Sequence, residues 1–174
     1  MLERGDIVFV MHNDNVISKI IAWFMKSRWS HSAVVVDVTP FRTYLCETSD
    51  FQVMIGTYDR YVHDAQTSIE VWRSERKISD KDMKVMLENA VDAEGTTYGY
   101  LQLFSFGLRR MLMRFNIKIP NFIRQGMVCC AVPLRAYTMS PIVEFNGIDP
   151  ESIDTQEMYD IISTSGKFKR VFSR

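Results

Sequence analysis

Hydrophobic and polar residues along this chain alternate between two spacings, one typical of strands and one typical of helices. Runs rich in β-branched and aromatic residues predict strands at residues 6–10, 32–38, 43–48 and 68–73. The second run, SAVVVDV, is apolar at nearly every position, which favours a strand buried on both faces. We expect residues 52–62 to form a loop with some strand character, and residues 167–172 to return as an edge strand.

Helices are indicated where apolar residues recur every three or four positions. The clearest is predicted over residues 80–94, with Ser79 as its N-cap and Gly95 closing it. Residues 101–115 form one long helix or two short ones that meet at Gly107. Further helices are predicted at residues 16–26, 127–137 and 154–162.

In chain order these elements predict an α+β fold, in which helices pack on an antiparallel sheet. The chain has 174 residues and shows neither internal repeats nor low-complexity tracts. This length favours a single domain over residues 1–174, with enough chain to bury a core of its own.

Composition excludes several classes of function. Twenty-one basic residues balance twenty-one acidic ones, so we expect no nucleic-acid partner. Three cysteines, two of them adjacent, do not make a disulfide scaffold and favour a reducing compartment. The apolar runs are too short for a signal peptide or a membrane span. We therefore expect a cytoplasmic protein as encoded, although delivery as a phage product or an effector stays open.

Three residues far apart in sequence suggest an activated thiol. Cys129 lies at the start of a predicted helix, where unpaired backbone N–H groups and the helix dipole stabilise a thiolate. His31 precedes a buried strand, whose rigidity can hold a general base in a fixed orientation. Glu47 lies on the next predicted strand and can orient the imidazole if the two strands are neighbours.

Each of these residues also has an ordinary structural interpretation. A cysteine in an apolar context is most often a small core residue, and Cys46 and Cys130 compete with Cys129 on composition alone. His31 can be a structural histidine, and Glu47 a surface carboxylate. The residue types and their spacing do not decide between these interpretations.

Five motifs nevertheless occur in an order that resembles a known superfamily: ERGDIVFV, WSHSAVVVD, CETS, TTYGY and VCCAVPLRAY. The chain resembles the circularly permuted branch of the NlpC-type papain-like cysteine hydrolases over roughly residues 2–137. This branch includes the YiiX-like bacterial amidases, related poxviral proteins and the lecithin:retinol acyltransferase-like enzymes. The resemblance implies a papain-like domain.

The resemblance also assigns roles to individual residues. It implies that Cys129 is the nucleophile, His31 the base and Glu47 the residue that orients the base. The backbone N–H of Cys129 would be one oxyanion donor, and Tyr98 would support the site. Two features depart from the family pattern. Pro133 follows four residues after Cys129, and Cys130 stands where serine is usual, so Cys130 becomes the nucleophile if the register shifts by one.

A basic, apolar stretch precedes the candidate nucleophile. It contains no acidic residue and carries Arg109, Arg110, Arg114, Lys118 and Arg124. Such a segment can contact an anionic lipid surface or line a cleft, but it is also the composition of a helix with one core face and one solvated face.

The sequence contains no HExxH motif, no CxxC pair and no glycine-rich phosphate loop, so we expect neither a metal nor a nucleotide cofactor. We interpret His12 and the two residues after it as a turn. Three functions remain open. The first is a cysteine amidase or peptidase acting on cell-wall-type peptide bonds. The second is a lipid-directed thiol acyltransferase or esterase, and the third is a catalytically silent binding module.

Overall fold

The computed structural model describes residues 1–49, 52–113, 115, 127–138, 145 and 147–174. The strands in this part of the chain are β1 (Ile7–His12), β2 (His31–Val38), β3 (Thr43–Ser49), β4 (Gln52–Thr57), β5 (Thr67–Ser74) and β6 (Phe168–Ser173). The helices are α1 (Val16–Met25), α2 (Asp59–Val62), α3 (Asp80–Val91), α4 (Tyr100–Met113), α5 (Ala131–Thr138) and α6 (Thr155–Thr164).

The strands form one antiparallel sheet in the order β4-β3-β2-β1-β5-β6. The β1 and β2 strands, which carry the most continuous apolar runs, occupy its centre. The last strand of the chain pairs with β5 at one edge, as its sequence predicts. Helices pack on this sheet, and the predicted α+β fold is confirmed.

Hydrophobic clusters cover both faces of the sheet. Val34 and Val36 belong to the larger cluster, which also receives side chains from α3, α5 and α6. Ala33 and Val35 belong to a smaller cluster beneath α2. Successive residues of β2 therefore face opposite cores, which is why its sequence is apolar at nearly every position.

The end of α5 contacts the residues that lead into β1. The Tyr137 hydroxyl, near the end of α5, donates a hydrogen bond to the carbonyl of Gly5. A side chain at Gly5 would lie only 2.9 Å from the Met86 methyl, and its φ of 87° is itself one that favours glycine. Beside it, buried Asp6 accepts from Arg73 at 2.8 Å. These contacts fix α5 against the middle of the sheet.

Two segments differ from the sequence prediction. Residues 52–62 form a regular strand and a short helix rather than a loop, because β4 pairs along the whole of β3. The helix predicted from residue 127 begins at Ala131, because Met127 instead bridges to Tyr98 and residues 129–130 form a turn.

One helix, α4, spans the predicted junction at Gly107 without interruption. The ring of Phe24 from α1 packs directly over this glycine, where a Cβ atom would lie 1.7 Å from a ring carbon. Close approach of α1 thus accounts for a glycine within a helix. Within the described residues, no helix combines the length and apolar character needed to cross a bilayer.

Candidate active site

Pairing of β2 with β3 brings His31 and Glu47 together. Glu47 lies opposite Ala33, and His31 precedes Ala33 by two positions, so both side chains project from the same face of the sheet. His31 Nε2 lies 2.8 Å from Glu47 Oε2. The other ring nitrogen, Nδ1, is thereby left for a different partner.

The Glu47 carboxylate is completely buried and accepts from several donors. Arg60 Nη1 donates to Oε1 at 2.9 Å, and the Tyr61 hydroxyl donates to Oε2. Burial alone would raise the pKa of Glu47, but the hydrogen bonds and charge of His31, Tyr61 and Arg60 lower it to about 2. Glu47 is therefore ionised at neutral pH and can hold an imidazolium.

Space for this carboxylate depends on Gly56 in β4. A Cβ atom at Gly56 would lie 2.4 Å from Glu47 Oε1 and 3.1 Å from Arg60 Nη1. Because no side chain fits there without moving the carboxylate or the guanidinium, the glycine is part of the geometry that orients His31.

The Cys129 thiol also interacts with His31. Cys129 lies in the turn before α5, and its side chain is close enough to the imidazole for each group to shift the pKa of the other. Its Sγ also lies 3.5 Å from Thr155 Oγ1 at the start of α6, and 4.0 Å from the Ser30 carbonyl. Three elements, β2, α5 and α6, thus converge on one thiol.

This environment favours the charged forms of both groups. Burial alone would raise the pKa of Cys129, but the hydrogen bond and charge of His31, with help from Thr155 and the Ser32 backbone, lower it below its ordinary value of 9.0. Burial likewise opposes a charged His31, yet its bonds to Cys129 and Glu47 raise its pKa to about 10. The pair can therefore exist as a thiolate beside an imidazolium at neutral pH.

Pro133 does not disturb this arrangement. It is the third residue of α5, within the first turn, where backbone N–H groups have no acceptor inside the helix. A proline four residues after Cys129 would kink a helix that begins at Cys129, but α5 begins at Ala131, so this departure from the family pattern causes no conflict.

The other two cysteines have different surroundings. Cys130 Sγ donates to the Ile153 carbonyl at 3.3 Å and belongs to the main hydrophobic core, and burial raises its pKa well above the ordinary value. Cys46 Sγ donates to the Ala90 carbonyl at 3.1 Å, and burial raises its pKa to about 12. Neither thiol has the histidine contact that Cys129 makes.

A cleft of about 220 Å³ opens over this site. His31, Tyr61, Tyr98 and Ser30 line it, together with Ser18 from α1. Cys129 is only 3% exposed, and it is the side chains of neighbouring residues, His31 among them, that line this cleft. A larger cavity of about 990 Å³ lies elsewhere, between α3 and the start of the chain, and shares no residue with the cleft.

Tyr98 is close to the candidate nucleophile but makes no described hydrogen bond to it. Its backbone bridges in parallel to Met127, two residues before Cys129, and its ring lies 4.5 Å from that of Tyr100. Burial, and then the nearby thiols, raise the pKa of its hydroxyl well above 10. The Tyr98 hydroxyl is therefore uncharged at neutral pH, and Tyr98 lines the cleft as a neutral side chain.

The basic stretch is only partly described. Arg110 forms two hydrogen bonds with buried Asp154, at 2.6 and 2.8 Å, and Arg109 pairs with Glu157. These two cations thus hold the start of α6, which carries Thr155. Arg114, Lys118 and Arg124 lie outside the described residues. Contact of the stretch with lipid stays a prediction.

Three residues at this site carry no signal in the sequence. Tyr61 and Arg60 come from the segment expected to be a loop, and only the turn of α2 aims them at Glu47. Thr155 lies 26 residues beyond Cys129, and no motif links the two. The capping pattern of Asp154 predicts the helix start but not what the helix start contacts.

Comparison with known proteins places the chain in a family. None of the curated proteins matches the chain. The solved structure of the metalloprotein yiiX from Escherichia coli O157:H7 has the same fold, with a TM-score of 0.63 at 16% identity over 99% of this chain and 97% of that one. Among the residues that the structure describes, no group of three or more His, Cys, Asp or Glu side chains is placed to hold a metal ion.

The family match covers the first part of the site. The model of the permuted papain-like amidase enzymes YaeF/YiiX, the C92 family, matches residues 1–106, which include His31, Glu47 and Tyr98 and end before Cys129. This span is more than half of the chain, and the resemblance seen in the sequence is confirmed. The chain belongs to the permuted papain-like amidase family, a family of cysteine hydrolases.

Proposed function

We propose that this protein is an amidase in which Cys129 is the nucleophile, His31 the general acid and base, and Glu47 the residue that orients His31. The observation that carries the proposal is the position of His31, whose Nε2 lies 2.8 Å from Glu47 Oε2 and whose imidazole also interacts with the Cys129 thiol. Nucleophile, base and orienting group in this order are the general form of an activated thiol.

The chemistry then proceeds in two halves. The Cys129 thiolate attacks the amide carbonyl, forming a C–S bond and a tetrahedral oxyanion. The His31 imidazolium gives its proton to the amide nitrogen, the C–N bond breaks, and the amine leaves a thioester on Cys129. Neutral His31 next takes a proton from water, the resulting hydroxide displaces Cys129, and the thiolate–imidazolium pair is restored.

The oxyanion needs donors close to the nucleophile. Cys129 lies in a turn that leads into α5, so the backbone N–H groups here precede the helix and point away from its hydrogen-bonded interior. We assign the Cys129 amide as one donor. The neutral Tyr98 hydroxyl, held protonated by burial beside the thiol, is a supporting group at the same wall.

For the substrate we propose a peptide-type amide, of the kind found in cell-wall material, as the first candidate. A second candidate, an acyl ester or amide of a lipid, is favoured by one observation: α1, which lines the cleft, presents exposed Ile17, Ile20 and Trp23 on its outer side. Both candidates pass through the same thioester on Cys129.

Trapping that thioester tests the proposal. Wild-type protein is mixed with a cell-wall peptide fragment or a short-chain activated acyl ester, quenched in acid and digested for mass spectrometry. We expect an acyl adduct on Cys129 in the wild type and in Cys130→Ala, and none in Cys129→Ala or His31→Ala. Which substrate leaves the adduct separates peptide from lipid chemistry. An adduct that persists in Cys129→Ala would refute the assignment, and no adduct with any substrate would favour a catalytically silent binding module.

A further inference from the structure

The outer side of α1 and α4 is unusually apolar for a solvent-facing surface. More than half of the large exposed hydrophobic side chains in the described chain lie on these two helices. We call this surface the α1–α4 face, defined by Ile17, Ile20, Trp23, Leu101, Phe104 and Met111. Trp23 is 74% exposed, whereas the other two tryptophans are buried. Contiguous apolar patches of this kind mark interaction sites.

The two helices are locked into one platform. Phe24 packs over Gly107 and stacks with Phe104 at 6.1 Å between ring centroids. A crevice of about 70 Å³ runs between the helices, lined by Trp23 and Met111 and by the cationic side chains of Lys26 and Arg110. The exposed side chains are thus held on a fixed surface.

The charges of the α1–α4 face have one sign. Neither helix contains an Asp or a Glu. Lys19 and Lys26 are exposed, and in the part of the chain that the structure describes neither forms an ion pair. The acidic residue nearest in sequence, Asp14, precedes the N-cap of α1. An apolar surface with an exposed tryptophan and flanking lysines matches the chemistry of an anionic bilayer surface.

A second copy of the chain fits this surface poorly. In a two-fold interface the same patch meets itself, which would bring the exposed lysines of both copies together. No acidic side chain on either helix could pair with them. Charge complementarity therefore favours an anionic lipid surface over self-association.

The face also has a fixed relation to the cleft. Ser18 and Ile21 line the cleft from one side of α1, while Ile17, Ile20 and Trp23 project from the other. Tyr98, at the opposite wall, lies two residues before the start of α4. A membrane against the α1–α4 face would consequently lie beside the cleft mouth.

We propose that the α1–α4 face docks on anionic lipid bilayers, with Trp23 inserted at the interface, and presents the cleft to amide or ester groups at headgroup level. The substrate part of this proposal rests on the proposed function, whereas docking itself requires no catalysis. The two parts are therefore tested separately.

Docking is measured on the full chain with vesicles of phosphatidylcholine alone or mixed equally with phosphatidylglycerol. Because Trp23 is exposed and Trp29 and Trp72 are buried, a blue shift of tryptophan emission on adding vesicles reports the insertion of Trp23. We expect the shift and co-sedimentation with the anionic vesicles, weakening in high salt because exposed charges are screened. Cys129→Ala should bind vesicles as the wild type does.

Variants identify the surface. Trp23→Ser should lower vesicle partitioning about tenfold, since one large aromatic side chain no longer leaves water. Lys19→Gln and Lys26→Gln should each lower it about fivefold on anionic vesicles. Phe41→Ser, which removes a 92% exposed aromatic in the β2–β3 turn, is the matched control and should leave partitioning unchanged.

Three results would overturn docking: no emission shift with either vesicle, equal loss of binding in Phe41→Ser and Trp23→Ser, or concentration-dependent dimerisation that buries Trp23 without lipid. If docking holds but wild type and Cys129→Ala are equally inert on vesicle-borne and free substrates, the proposed function fails while the docking surface stands.

Discussion

The protonation state of Cys129 Sγ decides whether Cys129 can act as a nucleophile. Burial opposes a charge on Sγ, and His31 favours it, and the balance lowers the pKa of Cys129. Burial likewise opposes a charge on His31, but Cys129 and Glu47 together raise the pKa of His31 to about 10. A proton thus passes from sulfur to nitrogen without leaving the site, which gives a nucleophile without an external base.

The first prediction concerns the rates at which the three thiols react with iodoacetamide. Cys129 should alkylate well below pH 9, the ordinary thiol pKa, whereas Cys46 and Cys130 should not, because burial raises the pKa of both. His31→Ala removes the group that opposes burial and should move the Cys129 titration upward. Mass spectrometry of each cysteine peptide across pH 5–10 measures this. Three cysteines that label together near pH 9 would contradict it.

The second prediction concerns acid stability at Glu47. Its pKa falls from 4.5 in the unfolded chain to about 2 in the folded one, so the ionised carboxylate stabilises the fold above pH 4.5. This contribution, on the order of 3 kcal/mol, is lost as pH falls from 4.5 through 2. Glu47→Gln should therefore melt below the wild type at pH 7, with the gap narrowing toward pH 2.

Activity supplies the control for that variant. In the proposed function Glu47 orients His31 without touching the substrate, so Glu47→Gln should retain part of the turnover that His31→Ala loses. A gap in melting temperature that stays constant between pH 7 and pH 2 would show that Glu47 acts by packing rather than by charge.

Secondary-structure elements bring these residues together in the site. The sequence predicts the elements better than it predicts the tertiary contacts between them. The runs of β-branched and aromatic residues predict β1, β2, β3 and β5 closely, and the helix caps predict α3. The β4 segment is predicted only as a loop with some strand character, and its Gly56, which is unfavourable in a strand, leaves the space that Glu47 and Arg60 occupy. A glycine that a tertiary contact requires is, judged from the local sequence alone, a residue that weakens a strand.

The site shows the same limit. Cys129, His31 and Glu47 stand out because their residue types carry chemistry and their motifs occur in a family order. Thr155 and Tyr61 carry no such signal, since a hydroxyl becomes part of a thiol or carboxylate site only when another element brings it within hydrogen-bond distance. Likewise, the period of α1 predicts a helix, but nothing local states that Ile17 and Ile20 face outward.

The third prediction tests whether β4 shapes the site. Gly56→Ala places a methyl group where the Glu47 carboxylate and Arg60 now lie, so we expect the carboxylate to shift away from His31. Turnover should fall about tenfold or more, since small displacements of positioning groups are costly, and the alkylation pKa of Cys129 should change. Gln52→Ala, at an exposed position of the same strand, is the control. Wild-type turnover in Gly56→Ala would show that the site accepts the methyl group without displacing the Glu47 carboxylate from His31.

At the scale of the whole molecule, the site depends on α6, a helix near the end of the chain, packing against residues from much earlier in the sequence. The α6 helix begins at a capping box formed by Asp154 and Glu157, and both acids also pair with α4 through Arg110 and Arg109. The same helix start places Thr155 beside Cys129. Docking of α6 on α4 is thus coupled to the surroundings of the thiol.

The fourth prediction breaks that docking at Arg110. Arg110→Leu leaves the Asp154 carboxylate buried with its cap bonds but without a cation, and should destabilise the fold by about 2–3 kcal/mol. It should also raise the alkylation pKa of Cys129, because a displaced α6 withdraws the Thr155 hydroxyl. Denaturant unfolding and cysteine alkylation measure the two effects.

Lys84→Leu, which removes an exposed ion pair with Glu88, is the control and should change neither the stability nor the alkylation of Cys129. If Arg110→Leu lowers stability yet leaves Cys129 alkylation unchanged, α6 supports the fold without tuning the nucleophile, and Thr155 is only a neighbour of the thiol.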